Sequence, residues 1–174
     1  MSKVIMAGCD LHDRSMLIRY AIDTDEPQQL TFKNDATDRR RMISRLKSLA
    51  KKSGVKRIVF AYEASGLGYG LADQLHAEGI ECHILSPTHL PKTRKAAKAK
   101  TDAKDAQMIL EQLRGHVLAG NKLPVVWTPP QRLREDRELV RARIDIADET
   151  TRIKNKLLST IKRYGVVRPE WYTP

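Results

Sequence analysis

Four acidic residues stand where their carboxylates can be brought to one point. Asp10 follows a run of apolar and small residues from Val4 to Cys9, and Glu63 follows a second such run from Ile58 to Tyr62, so each falls at the end of an expected strand. In an open sheet, ligand sites gather outside the carboxyl ends of the strands. Asp102 and Asp105 are three positions apart on an expected helix, where side chains are neighbours. Carboxylates brought within a few Å of each other repel unless a cation lies between them. Four oxygen donors without Cys or His suit a hard divalent ion, Mg²⁺ with Mn²⁺ as its substitute, and do not suit zinc. A pair of such ions is a device for clamping a phosphodiester. Two of the acids also have a plainer reading, Asp10 as a turn-former and Asp102 as a first-turn acid favoured by the helix dipole behind a Thr101 N-cap, whereas Asp105, a turn deeper, is less easily explained that way.

The basic residues Lys92, Arg94, Lys95, Lys98 and Lys100 precede the last two acids and Lys104 lies between them, a run that can carry a phosphate backbone to the acids or form a solvated surface. The chain of 174 residues has a net charge of +11, which favours a polyanionic partner, while an aromatic content of 5% leaves few rings to stack on bases. Cys9 and Cys82 are the only cysteines and form no CxxC pair, with no His nearby at zinc spacing, which fits a reducing, cytoplasmic setting. No window approaches the roughly 20 apolar residues of a membrane span. Gly66, Gly68 and Gly70 match neither phosphate-loop spacing, and His12, His76, His83, His89 and His116 show no ligand spacing, so surface or packing roles are expected for them.

The elements that must position these residues follow from hydrophobic period. Strands are expected over 3–9, 16–23 and 29–33, then a helix over 35–52, a strand over 57–62, a helix over 66–78 stopped at Gly79, and a strand over 81–85. A helix is expected from 101 to 114, after which three prolines between 123 and 130 break the pattern. The expected domains are 1–122, a linker over 123–131, and a tail over 132–174. Its long helix, 132–164, carries a partial apolar stripe through Leu139, Ile146, Ile153, Leu157, Ile161 and Tyr164, to be covered by a partner helix or by the first domain. A meander followed by a βαβ unit gives an α/β mixed sheet flanked by helices, the element order of the RNase H-like fold. Actin-like ATPases begin the same way but need a longer chain and phosphate loops.

Gly8-Cys9-Asp10, then Tyr62-Glu63-Ala64-Ser65-Gly66, then Lys100-Thr101-Asp102-Ala103-Lys104-Asp105-Ala106 resemble in order and spacing the DEDD motif of the insertion-sequence transposases known as bridge-RNA-guided recombinases. Pro129-Pro130 with Arg132, Leu133, Arg134 and the later Arg141, Arg143, Lys154, Asn155 and Lys156 is similar to that family's passage from its RuvC-like domain into a coiled coil. The resemblance covers nearly the whole chain. It implies a RuvC-like fold, Mg²⁺ at Asp10, Glu63, Asp102 and Asp105, and DNA and guide RNA as partners of a homo-oligomer, a dimer or tetramer. It also implies a C-terminal domain that supplies a nucleophilic serine, so the chain is expected to be a partial transposase. The alternatives are a stand-alone RuvC-like nuclease, whose metals activate water, and a non-catalytic module for nucleic-acid binding and dimerisation.

Overall fold

Alternating apolar residues in the first 33 positions build three antiparallel strands, and the chain then turns to βαβ units. A computed structural model describes residues 3–88 and 101–166. Strands β1 (Val4–Leu11), β2 (Ser15–Ile22) and β3 (Gln28–Lys33) form the meander. Helix α1 (Ala36–Lys52) follows, begun by Asp35, whose side chain accepts from the amides of Thr37 and Asp38. Strand β4 (Arg57–Glu63), helix α2 (Gly70–Ala77), strand β5 (Glu81–Leu85) and helix α3 (Asp102–Ala119) complete the first unit. The sheet order is β3-β2-β1-β4-β5, with β1, β4 and β5 parallel. This is the mixed, helix-flanked sheet that the order of elements in the sequence leads one to expect.

Of the boundaries that differ from the hydrophobic pattern, three differ in ways that matter for the site or the core. Strand β1 runs on to Leu11 and pairs Asp10 with Leu17, so Asp10 is in the strand and not beyond it. The expected helix over 66–78 begins only at Gly70, because Gly68 adopts a left-handed conformation at φ 68° and residues before it form turns. Helix α3 outlasts its expected end by more than a turn and stops at Gly120, again left-handed at φ 73°.

Side-chain parity divides the core in two. Ile5, Ala7, Cys9 and Leu11 of β1, with Phe60 and Tyr62 of β4, pack on α1 and α2. The opposite face, Val4, Met6, Val59, Ala61 and Leu85, packs on Ile109, Leu110 and Leu113 of α3. Gly8 belongs to the α3 face, and the helix backbone lies directly on it: a Cβ there would stand 2.4 Å from the amide nitrogen of Leu110 and 2.6 Å from the carbonyl oxygen of Ala106. The free edge of β5 is partly covered, since Val125 bridges Leu85, Ser86 N donates to the Pro124 carbonyl and Val126 N to that of Ile84. Residues expected only to link thus pair with the sheet.

Chain contacts divide the protein at Thr128 and Pro129. In the second unit, helix α4 (Gln131–Arg163) has 33 residues, about 50 Å at 1.5 Å per residue, and buries none of them. Leu139, Ile146, Ile153 and Leu157 are all more than half exposed. Thr150, which interrupts the apolar stripe, donates its hydroxyl to the carbonyl of Ile146, and Thr160 donates its own to that of Lys156. No helix among the described residues is long and apolar enough to cross a membrane.

Candidate metal centre

The parity that presses Gly8 on α3 also aims the acids. Asp10 is two residues beyond Gly8 on the same face of β1, about 6.6 Å along a strand. Asp102 is four residues before Ala106, about 6 Å along a helix that runs the other way. The two equal steps from the Gly8–Ala106 contact bring Asp10 and Asp102 together. Glu63 lies on the α3 face of β4 with Val59 and Ala61, and one position past the paired Cys9 and Tyr62, so it neighbours Asp10 across the parallel ladder.

Ligand atoms of Asp10, Asp102 and His12 all lie within 4.8 Å of one another. His12 Nε2 is 3.0 Å from Asp10 Oδ2 and 3.7 Å from Asp102 Oδ1, between the two carboxylates. Burial raises the Asp10 carboxyl above its ordinary range, and nearby Asp102 and Asp105 raise it further, while His12 pulls it down. The Asp10 side chain is 14% exposed and that of Asp102 59%. Glu63 and Asp105 are half-buried and fall outside this three-residue group. Asp105 is one turn along α3 from Asp102, close enough to act on Asp10 through its charge.

His12 was not expected here, since no other histidine lies at ligand spacing from it in the sequence. Its place comes from the turn between β1 and β2, where His12 N donates to the Ser15 carbonyl and Asn34 Nδ2 donates to the His12 carbonyl at 2.7 Å. Asn34 Oδ1 in turn accepts from Arg39 Nε of α1 at 2.7 Å. A polar residue two positions after a strand-borne acid, on a hairpin turn, is the signal that marks it. Beside the turn, a groove of about 610 Å³ is lined by Leu11–Ser15 on one bank and Ser65, Gly66 and Leu67 on the other.

The donors fit a divalent ion. Carboxylates and an imidazole within 4.8 Å need only side-chain rotation to meet one cation, and a buried carboxyl destabilised by two like charges is a group that a cation would relieve. Lys92, Arg94, Lys95, Lys98 and Lys100 lie outside the described residues. Lys104 is exposed on the first turn of α3. Cys9 and Cys82 are free and buried, with the Cys82 thiol pushed up to about 12 by desolvation, so neither is poised as a nucleophile.

Residues 7–166 match the IS110-type DEDD family model, described as Transposase. Two proteins of Sinorhizobium fredii (strain NBRC 101917 / NGR234), whose names describe them as candidate transposases, are similar. The protein y4qE is 27% identical over 114 residues, 66% of this chain and 28% of its own length. The protein y4rJ is 29% identical over 105 residues, 60% of this chain and 26% of its own length. The match thus spans little more than a quarter of each relative. Among solved structures, Thermus thermophilus RuvC aligns at TM-score 0.46 and 11% identity over 70% of this chain and 99% of its own. A T. thermophilus RuvC in complex with a Holliday junction substrate aligns at TM-score 0.42 and 11% identity over 69% of this chain and 99% of its own.

Proposed function

Because the chain belongs to the IS110-type DEDD transposase family, we propose that residues 1–128 form its metal-dependent, nuclease-like domain, which acts on DNA during transposition and recombination. The observation that carries this reading is the meeting of Asp10 and Asp102, 92 residues apart in sequence, with His12 Nε2 between them at 3.0 and 3.7 Å. Asp10 and Asp102 hold Mg²⁺, or Mn²⁺ in its place, with Glu63 and Asp105 reaching the same ion or its waters. The ion supplies positive charge against a phosphodiester oxygen in a partly enclosed site, where such charge acts most strongly.

The protein's own part is to hold its acids at a fixed separation. Strand β1 presents Asp10 and strand β4 presents Glu63, while the close seating of α3 on Gly8 sets Asp102 opposite. His12 spans the two carboxylates, where its imidazole would join them in holding the ion. The basic run from Lys92 to Lys100, with Lys104, delivers the nucleic-acid backbone to the acids. The group that attacks or carries the DNA strand covalently comes from the remainder of a full-length transposase, by resemblance a serine. A structured guide RNA is a second nucleic-acid partner on the same ground, and the protein works at the nucleoid in the cytoplasm.

A crystal soaked in Mn²⁺ tests the centre. An anomalous peak is expected beside Asp10 and Asp102, with oxygen distances of about 2.0–2.2 Å. No peak at tens of millimolar Mn²⁺, with both carboxylates ordered, would remove the metal role and leave a non-catalytic binding module.

Helix α4 completes the reading as a homo-oligomer contact. A 33-residue helix with no buried residue and with Leu139, Ile146 and Ile153 at successive seven-residue intervals presents the seam of a coiled coil. Light scattering of the 174-residue chain should give a dimer or tetramer, and I146D/I153D should shift it to monomer. A wild-type chain that stays monomeric at high micromolar concentration would sink the contact.

A further inference from the structure

We infer that the exposed face of α1 is a docking surface for the phosphate backbone of a DNA duplex, distinct from the acidic centre. Between Ala36 and Lys52 the helix carries seven basic side chains against one acid, Asp38, a net +6 of the chain's +11 in 17 residues. Three of the seven are engaged within the protein, Arg39 with Asn34, Arg41 with Asp38 and Lys47 with Glu78. The other four, Arg40, Arg45, Lys51 and Lys52, are exposed, and no ion pair or side-chain hydrogen bond engages them among the described residues.

A merely solvated helix face does not look like this. Helix α4, which buries no residue, intersperses ten basic with six acidic residues over 33 positions and pairs them at three-residue spacing, as in Arg141–Glu138 and Arg152–Glu149. On α1, by contrast, Arg41 and Arg45, and Lys47 and Lys51, are like charges four apart, an arrangement that costs a free helix stability. An anionic partner reverses the sign of that cost.

The surface also has the shape of a backbone contact. Arg40, Arg41, Ser44, Arg45 and Ser48 line a shallow groove of about 490 Å³ along the helix. From Arg40 to Ser48 is about 12 Å of helix, the length of about three phosphates along one strand of a duplex. The serines are short donors to phosphate oxygens between the guanidinium groups. The helix contains no aromatic residue, so it offers nothing for an unpaired base to stack on, which selects a duplex over single-stranded loops. The choice of DNA rests on the transposase reading above.

Position agrees with that choice. The first turn of α1 is tied through Arg39 and Asn34 to the carbonyl of His12, so the basic face starts at the end of the sheet where the acids are and leads away from it.

Fluorescence anisotropy of a labelled DNA duplex with the whole chain, in EDTA, tests the surface without involving the metal centre. R40E/R45E should weaken binding at least tenfold at about 0.1 M salt and lower the slope of log affinity on log salt by about 2, since each phosphate contact contributes about 0.9. K3E/K122E, an equal charge change at exposed sites elsewhere, should weaken it less than about threefold. Circular dichroism checks that both variants fold. Equal losses in the two variants would reduce the effect to net charge and overturn the inference, as would an unchanged slope in R40E/R45E. A loss confined to an RNA hairpin probe would overturn the assignment to DNA. Because EDTA removes metal from the measurement, an absent Mn²⁺ site leaves the result untouched.

Discussion

Replacing Gly8 with alanine is expected to destabilise the first unit by about 3 kcal/mol or more, the upper end for overpacking, because the obstruction is backbone. The added methyl would meet the Leu110 amide nitrogen at 2.4 Å, the Ala106 carbonyl oxygen at 2.6 Å and the Leu110 Cα at 2.9 Å. No rotamer change relieves atoms of a helix backbone, so α3 must lift from β1 and lose part of its packing on Met6, Val59 and Ala61. A loss of that size lowers the melting temperature by roughly 10 °C in a domain of this length. The acids feel the same movement, since Asp102 is held one turn from the contact; Mn²⁺ affinity should fall along with stability. Gly66→Ala is the control, with nothing within 4 Å of its added Cβ, and should change neither quantity much. A Gly8→Ala protein melting within about 2 °C of the parent would mean that α3 does not rest on β1 as described.

Asp10→Asn separates metal binding from stability, and the two should move in opposite directions. Loss of a first ligand should lower Mn²⁺ affinity by more than about 100-fold, exceeding the effect of losing an outer-shell partner. In EDTA the variant should be the more stable protein at neutral pH. The Asp10 carboxyl is raised from its ordinary value near 3.8, chiefly by burial, with Asp102 and Asp105 adding to the shift. A group whose proton is held more tightly in the folded state stabilises that state fully only below its unfolded value, and the benefit is lost as pH rises through the folded value. Above that window the native chain carries a disfavoured carboxylate and the asparagine does not. Melting of the parent in EDTA should therefore fall relative to the variant as pH rises from about 3.8, and Mn²⁺ should restore the parent only. Parallel pH profiles in EDTA would refute the strain at Asp10, and undiminished Mn²⁺ binding by the variant would refute its role as a ligand.

Much of this arrangement is written in residue alternation. The odd and even positions of β1 and β4 assign Asp10 and Glu63 to the face that α3 covers, and the three-residue spacing of Asp102 and Asp105 directs both to one side of that helix. What alternation leaves out is whatever depends on contacts far along the chain. His12 reaches the acids because Asn34, 22 residues on, pins its turn. Pairing of Val125 with Leu85 depends on an unfilled strand edge, and no local pattern among the prolines reports it. The turns before Gly70 were hidden because Leu67 and Leu71 keep helical spacing with each other across Gly68, whose left-handed backbone breaks the helix. Gly8 itself was readable, since a glycine inside a strand marks a close backbone approach.

The order in which the two faces of the sheet are covered has a consequence for synthesis. All five strands and both helices on the first face are complete by Leu85, while the helix that covers Val4, Met6, Val59, Ala61 and Leu85 starts at Asp102. A nascent chain that has emerged only this far can assemble its sheet yet must expose one apolar side of it, a surface suited to chaperones or to misassociation with a neighbour on the same message. Closing that side joins segments about 100 residues apart, a slow step because its long loop must be ordered before any contact forms. The acidic centre is therefore absent from every ribosome-bound intermediate shorter than α3, and Asp10 and Asp102 meet only after that helix has covered the second face of the sheet.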